Sequence, residues 1–209
     1  MKITDSKIYK ANIGGGSLLI RESQVIARLL LDNPDNFENF SNSQAWHQAI
    51  VIDNILQKRS PETARLQARL IKNRLTLMKP EFLELIDKGN SDVVAQALLA
   101  ASIKHSRLLG DFMIKVIKSH WQLFNKCISV RDWQEYLETC SQIDSNIQSW
   151  TDGTRSKLKQ IIFRILVEAK YVNNIKSLEL LPVTITHEVK NYLINNSEDY
   201  ILKCMEITQ

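Results

Sequence analysis

Apolar residues recur three to four positions apart over most of this chain, and the strict alternation of a half-buried strand is rare. Leu18, Leu19, Val25, Ile26, Leu29 and Leu30 predict a first helix, with Ser17 as its cap, after a flexible joint at Gly14-Gly15-Gly16-Ser17. Asn33-Pro34-Asp35-Asn36 breaks it, and Ser41 or Ser43 starts a second helix with Trp46, Ile50, Ile55 and Leu56 inward. Ser60-Pro61-Glu62 joins a capping hydroxyl, a proline where no N–H is needed and an acid at the positive helix end. A third helix therefore runs from there to about Met78. Pro80 opens a short helix to about Lys88, closed by Gly89-Asn90. Ser91-Asp92 cap a long helix through Ala101, with a break expected near Gly110-Asp111 and a continuation from Phe112 to Phe124. Ser129 and Asp132 have capping-box spacing ahead of Trp133, Tyr136 and Leu137. Trp150-Thr151-Asp152-Gly153-Thr154 reads as a turn and cap for a helix to about Lys170. Between Tyr171 and Ile185 the helical spacing lapses, and Leu178, Leu180, Pro182, Val183 and Ile185 fit a short hairpin or an irregular crossing. Thr186 caps a helix to about Asn195, and Glu198 to Glu206 form the last.

The pattern predicts an all-α, compact multi-helix protein with at most one short β-hairpin near 176–185. It divides into an N-terminal helical part over 1–79, with a helix-turn-helix-like unit, and a C-terminal helical part over 80–209, or forms one continuous domain. The 209 residues suffice for a sizeable core, and six Gly and four Pro are too few for a sandwich or barrel. The three cysteines, Cys127, Cys140 and Cys204, have no metal-ligand spacing and read as buried, reduced thiols of a cytoplasmic protein. No apolar signal core follows Met1, and the uncharged run from Val93 to Ile103 is far shorter than the roughly 20 residues a membrane span needs.

Charge is informative through its distribution. The net +4 resolves into −1 over residues 1–56, +6 over 57–79, −2 over 80–150, +3 over 151–175 and −2 over 176–209. Two basic islands in a mildly acidic background suggest a polyanionic partner. In the first, Leu56-Gln57-Lys58-Arg59-Ser60-Pro61 forms a tight basic turn into the third helix, whose Arg65, Arg69 and Lys72 share one side with Thr76. Leu66, Leu70 and Leu77, with Ala64, Ile71 and Leu75, supply the packing arc. Lys58, Arg59 and the free N–H groups near Ser60 mark a helix end where a phosphate is favoured. Helix, short turn and cationic helix is how many proteins present a helix to DNA. The bland alternative is a solvated face; a single acid against seven bases argues for the partner. In the second island, Arg155, Lys157, Lys159 and Arg164 flank a helix packed through Leu158, Ile161, Ile162, Ile165 and Ala169. A second nucleic-acid-facing unit and a solvated face are equally good readings there.

Catalytic chemistry has no foothold. The glycine run lacks the pattern of a phosphate loop, no Gly-x-Ser-x-Gly elbow occurs, and His47, His105, His120 and His187 are scattered without metal-ligand spacing. The expectation is no catalytic residue, no metal, no cofactor and no small-molecule substrate. Trp46, Trp121, Trp133 and Trp150 read as core anchors.

Several short motifs stand in a fixed order: Gly15-Gly16-Ser17-Leu18-Leu19 with Glu22 and Ile26-Ala27, then Leu56-Gln57-Lys58-Arg59-Ser60-Pro61 with Thr63-Ala64. Ala100-Ala101 with Lys104, Leu109 with Asp111-Phe112, Asp132-Trp133 and Trp150-Thr151 with Thr154-Arg155 and Lys157-Leu158 follow. This ordered set resembles the BrxA family of bacterial BREX phage-defence systems. The resemblance implies a small, all-helical, non-enzymatic protein, reminiscent of the NusB antitermination fold, that binds double-stranded DNA and works beside other BREX proteins. RNA binding of the NusB type and a protein–protein adaptor stand as alternatives.

Overall fold

The computed structural model describes residues 8–33 and 43–208. The expected break at Pro34-Asp35-Asn36 and the Ser41 start lie outside them. Helices make up most of the described residues: α1 spans Ile20–Leu31, α2 Gln44–His47, α3 Pro61–Leu75, α4 Glu81–Lys88 and α5 Ser91–His105. Then come α6 over Arg107–Phe112, α7 over Ser119–Gln122, α8 over Val130–Ile143, α9 over Asp152–Glu168, α10 over His187–Asn195 and α11 over Asp199–Met205. Two helices widen into π geometry, α2 over Gln48–Ile52 and the stretch Met113–Lys118 that joins α6 to α7.

Most start signals act as expected. Ser43, Ser60, Ser129 and Thr151 each accept a backbone N–H of the first turn, and Ser129 with Asp132 closes a full capping box. Three differ. Ser17 does not cap α1: its hydroxyl donates to Glu168, and Leu19 precedes the helix in the left-handed conformation. Asn90, not Ser91-Asp92, caps α5, its Oδ1 accepting from two backbone N–H groups. Thr186 precedes α10 without a side-chain capping bond, and its N–H donates to Gln96.

Helix α5 is the axis of the molecule. Every residue from Val93 to Ile103 is buried, as an all-round apolar helix requires, and α1, α3, α4, α10 and α11 pack against it. It continues to His105, and the break falls at Ser106 (φ −131°, ψ 103°) rather than at Gly110-Asp111. Gly110 serves packing instead: a Cβ there would lie 2.4 Å from the Tyr200 hydroxyl. That hydroxyl and the Tyr9 hydroxyl each donate to Asp111 at 2.7 Å, tying both ends of the described chain to α6.

Of the two readings of this stretch, a short hairpin or an irregular crossing, the irregular crossing describes 176–185. Leu180 pairs with Val172, and Glu179 pairs with Cys127, as two isolated antiparallel bridges. The return lies earlier, where the side chains of Asn173 and Asn174 accept the N–H groups of residues 174, 176, 177 and 179. Cys140 and Cys204 are buried as expected, whereas Cys127 is exposed.

Candidate nucleic-acid interface

The first basic island begins in the connection between α2 and α3, and this connection is not a tight turn. Helical geometry ends at Ile52 and resumes at Pro61, leaving eight residues against the three or four of a DNA-reading helix-turn-helix. Asn54, in the left-handed conformation, brackets Lys58: its Oδ1 accepts the Lys58 N–H and its Nδ2 donates to the Lys58 carbonyl, each at 2.9 Å. Buried Leu56 pins the loop to the core. The Lys58 ammonium meets Glu22 at 2.5 Å and is thereby partly neutralised. Ser60 is engaged as the α3 cap.

Helix α3 packs through Ala64, Ala68, Ile71 and Leu75, whose spacing of four, three and four keeps one face against α1 and α5. Arg65 and Arg69 are exposed on the opposite side, and Lys72 is half-buried at its edge. With exposed Arg59 they form four cations with no ion pair among the described residues. The packing arc is narrower than expected. Leu66 and Leu77 are 44% and 42% exposed, since the alanines that admit close helix approach lie elsewhere on the wheel.

Arg74, counted with the island, is not a surface cation. It is 2% exposed and donates from Nη1 to the Ser17 carbonyl at 2.5 Å and from Nη2 to the Gly16 carbonyl at 3.0 Å. Burial pulls its pKa down to about 10, against the opposing pull of the Glu168 charge. Glu168 in turn accepts the Ser17 hydroxyl and the Leu18 N–H, both at 2.8 Å. The glycine run is therefore a clamped loop, not a flexible joint. No glycine has a positive φ, and a Cβ at Gly15 would lie 3.2 Å from Leu70 Cδ2. Without a Cβ, Gly15 lies close on Leu70 of α3.

Behind this loop sits His105, its pKa held down at about 4 by burial and then by the charges of Arg74 and Lys10. A histidine held neutral in the fold binds fewer protons than in the unfolded chain between its ordinary 6.5 and about 4. Stability is therefore expected to be full above pH 6.5 and to fall as the pH drops through that window. Urea titrations from pH 7 to pH 4 should show a smaller decline in His105→Gln than in the parent; equal slopes would remove His105 as the cause.

The second island sits on α9. Arg155 is spoken for: its guanidinium donates to the carbonyls of Trp150 and Ile147 and closes the short 3₁₀ turn Ser145–Ser149. Lys157 and Arg164 are exposed, and Lys159 is half-buried; none of the three has an ion pair among the described residues. The fold brings the two islands to neighbouring positions. The clamped loop lies between α3 and α9, and one groove holds Gly14 and Gly15, Leu66 of α3, and Thr154 and Lys157 of α9. A second groove takes Gly16, Gln67 of α3, and Lys159 and Arg164 of α9. Sequence reading found the cations but not these grooves, because their walls come from segments far apart in the chain. It also passed over Phe124. That ring is 91% exposed at a left-handed turn (φ 58°), whereas Trp133 is buried and Trp46, Trp121 and Trp150 pack against the core.

Among the described residues no three His, Cys, Asp or Glu side chains converge as metal ligands, and no helix is long and apolar enough to cross a membrane. The family model of BrxA matches residues 7–197. The chain is 42% identical over 200 residues to a BREX protein BrxA of Paramagnetospirillum magneticum, covering 96% of this chain and 97% of that one. It is 32% identical to a BREX protein BrxA of Escherichia coli, covering 87% and 84%. Its fold superposes with a TM-score of 0.85 on the crystal structure of an uncharacterized protein from Magnetospirillum magneticum, with 38% identity and coverage of 95% and 98%.

Proposed function

The chain belongs to the BrxA family, and on that basis we propose that it is a non-enzymatic accessory component of a BREX system that binds double-stranded DNA. The observation that carries this reading is the outward face of α3. Arg65, Arg69 and Lys72 share one side of the helix, Arg59 is exposed just before its start, and none of the four is in an ion pair among the described residues. Cations left unpaired on a rigid helix cost little to bring to a phosphate backbone, and each contact releases condensed counterions. Lys157 on α9, across the clamped loop, extends the same positive field. Lys58, Ser60 and Arg155 contribute by shaping the surface, given their partners within the fold. The eight-residue connection before α3 argues against insertion as a base-reading helix-turn-helix, so contacts to the backbone, which position a protein without reading sequence, dominate.

Such a surface engaging about four to six phosphates loses roughly 10²–10³-fold in affinity between 50 and 200 mM salt. Fluorescence anisotropy on two unrelated 20-base-pair duplexes should show that slope, nearly equal for both. Affinity indifferent to salt, or single-stranded RNA outcompeting the duplex, would refute the reading.

A further inference from the structure

The groove between the clamped loop, α9 and the 175–178 turn differs in kind from the cationic face of α3. Its volume is about 580 Å³. Its lining joins aliphatic Leu19, Ile161, Ile175 and Leu178 with polar Ser17, Gln67 and Gln160; Leu178 is buried, and Ile175 remains 50% exposed. The rim carries Lys159 and Arg164, neither in an ion pair among the described residues, and no acid lines the groove. Aliphatic surface left open beneath uncompensated cations is half of an interface.

We propose that this groove docks an acidic amphipathic segment of a partner protein, with apolar side chains on Ile161 and Ile175 and carboxylates on Lys159 and Arg164. Complementarity of charge selects this occupant. A DNA backbone would satisfy the cations but would lay phosphates over the aliphatic lining as well, whereas protein–DNA contact surfaces are more polar than protein–protein ones. A second copy of this chain packed two-fold on the same face would bring a second Lys159 and Arg164, and no matching acid from the groove lining, to the same patch. A peptide with leucines on one helical face and glutamates on the other meets both demands, the apolar anchors supplying affinity and the rim charges partner choice.

The test uses the full chain and a fluorescent 16-residue synthetic helix with Leu at i, i+4, i+7 and i+11 and Glu at the outward positions. Lys-for-Glu and Ser-for-Leu versions are the comparisons. The acidic amphipathic peptide should bind at least roughly tenfold more tightly than either. Lys159→Glu with Arg164→Glu, and separately Ile175→Asp, should each weaken it by roughly tenfold or more while the melting temperature holds. Arg65→Glu with Arg69→Glu should leave peptide binding intact, so failure here is separable from failure of DNA binding by α3. Equal binding of the Lys peptide, or indifference to both groove variants, overturns the proposal. So does displacement of the peptide by a 20-base-pair duplex, which would assign the groove to DNA. A dimer in sedimentation equilibrium that Ile175→Asp dissolves would likewise overturn it in favour of a second copy.

Discussion

Arg65→Glu combined with Arg69→Glu is expected to weaken duplex DNA binding by about 10²-fold at 50 mM salt while leaving the fold unchanged. Both side chains are exposed on α3 and have no ion pair among the described residues, so reversing them breaks no packing and no salt bridge. Surface changes of this kind usually move stability by under about 0.5 kcal/mol. Removing two phosphate-binding cations from such a surface lowers the slope of log affinity against log salt by about two, uniformly across DNA sequences. Glu81→Lys with Glu84→Lys is the matching control. Those acids lie exposed on α4, and Glu84 gives up only a surface pair with Lys88. The two doubles are compared by gel shift, with melting temperature as the check on folding. A folded Arg65/Arg69 double variant that binds normally would show the α3 face to be merely solvated and would move attention to Lys157, Lys159 and Arg164.

What could be read from the sequence follows from how local each signal is. The cap at Ser60-Pro61 and the capping box at Ser129 and Asp132 act within one turn, so four adjacent residues suffice to find them. The same holds for the outward side of α3, since a straight helix fixes which residues share a face. Most of the errors are long-range, although Asn90 takes the α5 cap from Ser91-Asp92 within a single turn. Ser17 has the chemistry of a cap, but Glu168 reaches it from 151 positions away and competes successfully. Gly110 looks like a break and is instead the gap that admits Tyr200. Arg74 adds to the local charge count as fully as Arg69 does, yet tertiary packing drives it inward. The apolar groove was invisible for the same reason, because Leu19, Ile161, Ile175 and Leu178 carry no shared periodicity. Sequence thus reveals charge and caps well, and reveals poorly which charges have been consumed by the fold.

Arg74 offers the sharpest measure of that consumption, since Arg74→Met is expected to destabilise the protein by about 3 kcal/mol. The guanidinium holds the carbonyls of Gly16 and Ser17. The nearby Glu168 charge stabilises the Arg74 cation in return, and Glu168 holds the Ser17 hydroxyl and the Leu18 N–H of the loop. Methionine matches much of the volume but no donor, so two carbonyls lose charge-assisted bonds and Glu168 loses its nearby positive charge. A bond to a charged group contributes roughly 1.5–3 kcal/mol, and relief from burying Arg74 offsets part of the combined loss. At roughly 2–4 °C per kcal/mol for a chain of this size, the melting temperature should fall by about 6–12 °C. Arg74→Lys retains the charge and reaches one carbonyl rather than two, so its loss should lie about halfway. At temperatures where Arg74→Met remains folded, its DNA affinity should stay near the parent's, because Arg74 is buried and Arg65 and Arg69 are untouched. A melting temperature for Arg74→Met within about 2 °C of the parent would show that the loop is held by packing on Leu70 alone, with the ion and its hydrogen bonds incidental.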